Sequence, residues 1–289
     1  MSVAQKIRVL IVDDSAIVRK ILSDALSSEP DIEVVGSAPD PFVARDKILS
    51  LQPDVVTLDI EMPRMDGLSF LKRLMRFHPI PVVIISSLAQ SSSRTAIEAL
   101  QAGAVEVLGK PDGPYSVGEL RSLLASKVRA AAASKVRRTE GDITAKPPQA
   151  PLPAPKPGVS MIAIGASTGG TEAIQEVLMH LPANSPPIVI VQHIPPVFSK
   201  AFADRLNGIC PIEVKEAEDG DDVRAGRALI APGGFHMQVR KSSPGYKVAL
   251  NNSLPPVCYQ RPAVDVLFQS VAENVGPKVV AAILTGMGS

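Results

Sequence analysis

The sequence contains no tryptophan, and aromatic residues make up only 3% of its 289 positions. Aliphatic side chains must therefore fill any core, and a hydrophobic content of 45% supplies enough of them. Cysteine is scarce as well. Cys210 and Cys258 are too few to staple a chain of this length, which fits a reducing compartment. Neither sign of charge dominates: 30 Lys and Arg stand against 29 Asp and Glu, a net charge of +1. That balance excludes a basic nucleic-acid scaffold or an acidic tail as the organising principle. No apolar run reaches the roughly 20 residues that span a bilayer. The N-terminus runs into Asp13 and Asp14 without the pattern of a secretory signal. These absences lead to the expectation of a cytoplasmic monomer with no nucleic-acid partner and no membrane insertion.

Proline, by contrast, is abundant: 27 residues, with a cluster in KPPQAPLPAPKPG up to Gly158. Such a segment cannot form a helix or a central strand and is expected to be an extended spacer. Before it, RSLLASKVRAAAASKVRR reads as a helix with a basic end. The reading is a first domain over 1–125, a helix end and Pro-rich linker over 126–158, and a second domain over 159–289. Two domains also suit the chain length.

The first part alternates β-branched runs with helical spacing. Strands are predicted at Ile7–Val12, Ile32–Ala38, Val55–Asp59, Pro81–Ser86 and Ala104–Leu108, with helices between them. This alternation predicts a doubly wound parallel sheet. The second part repeats the style. Strands are predicted in VSMIAIG, PIVIVQH, RALIAPG and KVVAAILTGMG, and a hairpin around Ser243–Gly245. Helices are predicted in GGTEAIQEVLMHL, in SKAFADRLNG (ending at Gly208) and in AVDVLFQSVAENVG (capped by Gly276).

Sites in parallel α/β sheets form at the carboxyl ends of strands. Asp13 and Asp14 follow the first strand, Asp59 ends the third, Ser86 the fourth, and Lys110 follows the fifth. Crowded carboxylates need a cation, and a few hard oxygen ligands with open positions suit Mg²⁺. An Asp beside Mg²⁺ can attack phosphorus, with an ammonium and a hydroxyl nearby to bind phosphoryl oxygens. A plainer reading is that such Asp residues cap the helices that follow. The pieces VDDS, LDIEMPRMDG, SS and GKP resemble the receiver domain of two-component response regulators. The resemblance implies a flavodoxin-like fold in which Asp59 accepts a phosphoryl group from a histidine kinase. It also implies that Asp13, Asp14, Asp59 and the backbone carbonyl of Glu61 hold Mg²⁺, that Lys110 pairs with the phosphate, and that Ser86 is the hydroxyl switch. Val107 stands where receivers often carry an aromatic switch.

In the second part, IAIGASTGGTEAI sets Ser167 among small residues between a strand and a helix. A nucleophilic Ser needs that tight turn and free backbone amides for an oxyanion. His193 closes the next predicted strand and can reach the same sheet edge, so a Ser–His pair for acyl transfer is one reading. A nucleotide phosphate site is another, although neither usual Gly-rich fingerprint is present. His193 read alone suits a structural role, and His236 sits in a loop that could line a site.

GASTGG, QHIPPVFSKAFADRLN, APGGFHM, RPAVDVLF and LTGMG resemble the effector domain of the chemotaxis protein-glutamate methylesterase family. This implies a Rossmann-like domain that hydrolyses glutamate methyl esters, and deamidates glutamines, on chemoreceptors. Ser167 would be the nucleophile and His193 the base, with the backbone around Thr168 and Met287 at the oxyanion. No cofactor is implied for the esterase chemistry. The family's triad Asp follows in a TGMG-x-D-G pattern, whereas this sequence reads TGMGS and stops. The expectation is thus an effector domain incomplete at its C-terminus, from a fragment or a naturally shortened form, with apolar surface left uncovered. The resemblance further implies that the unphosphorylated receiver blocks the Ser167 site. An alternative reading is a catalytically impaired, phosphorylation-dependent regulatory binding protein.

Overall fold

A computed structural model describes residues 5–63, 65–87, 89–110, 117–134 and 158–286. The Pro-rich segment, Pro111 and Met287 lie outside the described residues. The chain divides into two compact units, Met1–Ile143 and Thr144–Ser289.

The first unit runs β1 (Ile7–Val12), α1 (Ala16–Ser27), β2 (Ile32–Ala38), α2 (Pro41–Leu51), β3 (Val55–Asp59), α3 (Gly67–Phe77), β4 (Val82–Ser86), α4 (Gln90–Gln101), β5 (Glu106–Gly109) and α5 (Val117–Ala132). The five strands are parallel in the order β2-β1-β3-β4-β5, the flavodoxin-like order. Strands β3 and β4 are buried at every position, which is why they read as continuous apolar runs. Short polar side chains start the helices: Ser15 accepts from the Val18 amide, Asp40 from Phe42 and Val43, and Asp66 from Ser69. Leu124, Ala125, Val128 and Ala131 of α5 join the core under the sheet. The helix end beyond residue 125 therefore packs within this unit, for its apolar stripe continues to Ala131.

The second unit runs β6 (Met161–Ala166), α6 (Gly170–His180), β7 (Ile188–Gln192), α7 (Phe198–Ile209), β8 (Glu213–Glu216), β9 (Arg227–Ile230), β10 (His236–Lys241), β11 (Tyr246–Asn251), α8 (Val264–Asn274) and β12 (Val279–Ile283). Its sheet is parallel in the order β12-β6-β7-β9-β8. The expected hairpin is β10–β11, turning at Gly245 with φ 99°. Gly276, just past α8, takes the left-handed conformation expected of a terminating glycine, φ 75°.

Two elements differ from the sequence reading. Strand β8 was not predicted, because only Val214 is buried among its four residues and charged neighbours alternate with it. Helix α7 does not end at Gly208. It continues to Ile209, and Cys210 leaves it in an extended conformation. Gly208 has no atom within 4 Å of where a Cβ would stand, so it is simply an exposed helical position. On β12, Val280 and Ile283 are exposed.

Candidate active sites

In the first unit the strand order reverses beside β1 and β3, and the acidic residues gather at that crevice. Carboxylate oxygens of Asp13, Asp14 and Asp59 lie within 4.8 Å of one another. Asp13 and Asp59 are fully buried and Asp14 is exposed. Lys110 Nζ donates to Asp59 Oδ2 at 2.8 Å and stands 3.5 Å from Asp13 Oδ2. The Glu61 amide donates to Asp59 Oδ1 at 3.0 Å, and the Ser15 amide to Asp13 Oδ1 at 2.8 Å.

Burial pushes Asp59 up to about 6, against the hydrogen bonds from Lys110 and the Glu61 amide. Asp13 is raised for the same first reason. Burial alone would lower Lys110, but its hydrogen bond and attraction to Asp59 and Asp13 prevail and raise it. Three carboxylates against one ammonium leave an excess of negative charge, and Asp13 Oδ2 is buried with no hydrogen bond among the described residues. An all-oxygen donor set that carries more negative charge than the one ammonium offsets fits a hard divalent cation.

Ser86 ends β4 fully buried, with its hydroxyl donating to the Ser87 carbonyl at 3.4 Å. Sequence reasoning missed two supports. Arg19 Nη1 donates to the carbonyls of Asp13 (2.7 Å) and Asp14 (3.0 Å), pinning the acidic loop from the first turn of α1. Gly67 packs so closely that a Cβ would stand 2.1 Å from the Asp59 carbonyl. Gly67 stood in the LDIEMPRMDG motif without its close packing being readable there, and nothing marked Arg19.

In the second unit β6 and β7 are parallel neighbours whose register ends at Ala166 opposite Gln192. Ser167 and His193 are therefore the next residues on adjacent strands, at one sheet edge. His193 Nδ1 lies 3.1 Å from Ser167 Oγ, hydrogen-bonding distance. The turn between β6 and α6 is tight: Gly169 has φ 74°, and the Gly170 amide donates to the Ser167 carbonyl at 2.8 Å. The N-terminus of α6 brings its partial positive charge to this edge. The segment after β12 packs onto the same turn. The Ser167 amide donates to the Thr285 carbonyl (2.9 Å), and the Thr285 hydroxyl to the Thr168 carbonyl (2.6 Å). A Cβ on Gly286 would stand 2.3 Å from the Thr168 nitrogen. Thr168 is buried beside Ser167, and Met287 follows directly on Gly286, outside the described residues.

His236 does not line this site. It is fully buried, with Nε2 bonded to the Pro255 carbonyl at 3.0 Å and Nδ1 accepting from the Ala263 amide at 3.3 Å. Those partners define one neutral tautomer in a structural role. Burial pushes the Cys210 thiol up to about 11, far from thiolate reactivity.

A family model described as CheB methylesterase matches residues 162–289, and one described as response regulator receiver domain matches residues 9–121. A protein-glutamate methylesterase/protein-glutamine glutaminase of Syntrophus aciditrophicus is 54% identical over 286 residues, covering 98% of this chain and 83% of that protein. The similarly named protein of Chromohalobacter salexigens is 51% identical, covering 99% of this chain and 81% of its own length. That of Pectobacterium atrosepticum is 51% identical, with 98% and 81% covered. A Ser–His pair on one parallel sheet, a carboxylate cluster on another, and this identity across both units lead to one conclusion: the chain belongs to the protein-glutamate methylesterase/protein-glutamine glutaminase family, with a receiver domain preceding the methylesterase domain.

Proposed function

We propose that this chain hydrolyses glutamate methyl esters, and deamidates glutamines, on chemoreceptors, and that phosphorylation of Asp59 by a chemotaxis histidine kinase raises that activity. The observation that carries the hydrolase reading is the 3.1 Å contact between His193 Nδ1 and Ser167 Oγ at the shared edge of β6 and β7. Ser167 Oγ attacks the ester carbonyl carbon while the facing nitrogen of His193 takes its proton. Collapse of the tetrahedral intermediate breaks the C–O bond, and the same ring returns the proton to the departing methanol. Water then attacks the acyl-enzyme by the same route and frees the glutamate. With a glutamine side chain the departing group is ammonia. The backbone around Thr168, at the positive end of α6, is the assigned oxyanion support together with the backbone around Met287, which lies outside the described residues. The third triad member, an Asp that the family pattern sets beyond Ser289, would stabilise the imidazolium.

In the receiver, Asp59 is the assigned phosphoryl acceptor. One of its oxygens forms the bond to phosphorus as the bond to the kinase histidine breaks. Lys110 neutralises the phosphoryl oxygens, and Ser86 offers its hydroxyl to them. Mg²⁺, held by Asp13, Asp14, Asp59 and the Glu61 carbonyl, would neutralise charge on the transferring group. Among the described residues no helix is long and apolar enough to cross a membrane; action on the receptors' cytoplasmic portions is part of the same proposal.

Methanol release from methylated receptor membranes, with phosphodonor and Mg²⁺, tests the proposal, with Ser167→Ala as the blank. Release above the blank, lowered by Asp59→Asn, is the expected result. Release equal to the blank would sink the esterase reading for this chain and favour a phosphorylated binding protein.

A further inference from the structure

We infer that Gln192 is a positioning residue for hydrolysis: its side-chain amide ties the backbone of the nucleophile to that of the base. The inference rests on the serine-hydrolase reading above. Gln192 is the last residue of β7 and is almost completely buried, 1% exposed. Its Nε2 donates to the carbonyl of Ser167 at 2.8 Å and to that of His193 at 3.3 Å. The ladder between β6 and β7 ends here, with the His193 amide on the Ala166 carbonyl at 3.0 Å. Beyond that bond Ser167 turns into α6 and His193 leads towards Pro195 and Pro196. The Gln192 amide takes over where the ladder stops, bridging the two residues whose side chains must meet.

The amide's orientation follows from its surroundings. Turned over, Oε1 would face two carbonyl oxygens, so the nitrogen must point to them. Oε1 is consequently buried without a hydrogen bond among the described residues. It lies against Gly170, where a Cβ would stand 2.0 Å from it. A glycine at the first position of α6 thus makes room for this amide. The two observations agree: the turn is shaped around Gln192, and Gln192 holds the turn to the base.

The test uses the full chain, with methanol release and labelling by a fluorophosphonate specific for activated serines. The unsubstituted protein is expected to label at Ser167, and Ser167→Ala to remain unlabelled. If the unsubstituted protein shows neither labelling nor release, the hydrolase reading fails and the role of Gln192 fails with it. Given labelling, Gln192→Met keeps the side-chain length without a donor. It is expected to lose about 10²-fold in kcat with KM within about twofold, because the reacting groups drift while substrate contacts persist. Gln192→Glu donates only when protonated. Its labelling rate relative to Gln192→Met is expected to rise as pH falls from about 8 to about 5. A merely structural side chain would not give that pH-dependent ratio. If Gln192→Met does not fold, the labelling of Gln192→Glu relative to the unsubstituted protein is read over the same range. A folded Gln192→Met that keeps kcat within about threefold, or a flat ratio for Gln192→Glu, overturns the role.

Discussion

At Gly170 the chain has no room for a methyl group. An added Cβ would stand 2.0 Å from Gln192 Oε1 and 2.6 Å from the Ala166 Cβ. Gly170→Ala is expected to destabilise the second unit by about 1–3 kcal/mol, as overpacking of a filled site does. Urea unfolding measures this, and the same variant should lose esterase activity beyond its loss of fold. The glycines around Ser167 were legible as a tight turn in the sequence. That one of them faces the side chain of Gln192 was not, since the partner comes from the next strand. At the other site, Asp59 carries the same contrast. Its place at a strand end was legible, but its buried carboxyl, raised to about 6, follows from walls that only the folded sheet supplies. Asp59→Asn is expected to abolish phosphoryl labelling by a small-molecule phosphodonor while leaving Ser167 reactivity to fluorophosphonate, measured without phosphodonor, equal to the parent's.

Helix α5 shows what attaches an element beyond its apolar stripe. Arg129 binds both oxygens of Asp31 at 2.7 Å and reaches Glu29 at 2.6 Å, tying the helix to the loop between α1 and β2. The Arg129 hydrogen bonds hold Asp31 down at about 2, and those of Arg129 and Arg121 lower Glu29. A folded-state value below the unfolded 3.8 means stabilisation that is present above about pH 4 and lost as pH falls towards 2. Arg129→Ala should therefore be less stable than the parent near neutral pH, with the difference shrinking on acidification. Both partners are solvated, so the effect is small and best read as a shift in acid-unfolding midpoint.

The pair Lys127–Glu106 is of the other kind, buried on both sides with Nζ 2.6 Å from Oε2. Lys127→Ala removes the ammonium that faces the buried Glu106 carboxylate and is expected to cost about 3–5 kcal/mol, whereas replacing both by Leu should cost less. Urea unfolding of the single and double variants distinguishes the two. The helix itself was legible from its spacing. Its ion pairs were not, because Asp31 and Arg129 lie 98 residues apart in sequence.

On the scale of the whole molecule, each unit has its own core. One gathers Val9, Ile11, Leu22 and Leu124, the other Val189, Leu229, Val239 and Leu267. Leu267→Ala, at a fully buried position of the second core, should cost about 2–5 kcal/mol. Calorimetry is expected to show that loss in the transition of the second unit alone, since distant sites add independently. A shift of both transitions would mean that the units unfold as one.

By itself the sequence determined the alternation of strands and helices, the doubly wound parallel sheets and the list of candidate site residues. Those features are local: β-branched runs, helical spacing, glycine turns and polar residues at strand ends are set by neighbours in the chain. It left open whether His193 pairs with Ser167 or merely ends a strand, and whether His236 lines a site. It also missed β8, whose single buried valine leaves too little pattern to read. Tertiary structure decided these, because strand order sets who stands beside whom. The parallel register of β6 and β7 puts His193 3.1 Å from Ser167 and lets one glutamine amide reach both residues, while packing around β10 buries His236 between the Pro255 carbonyl and the Ala263 amide. Hydrogen bonds between residues 25 or more positions apart depend on packing of the whole sheet, which no short stretch of sequence contains.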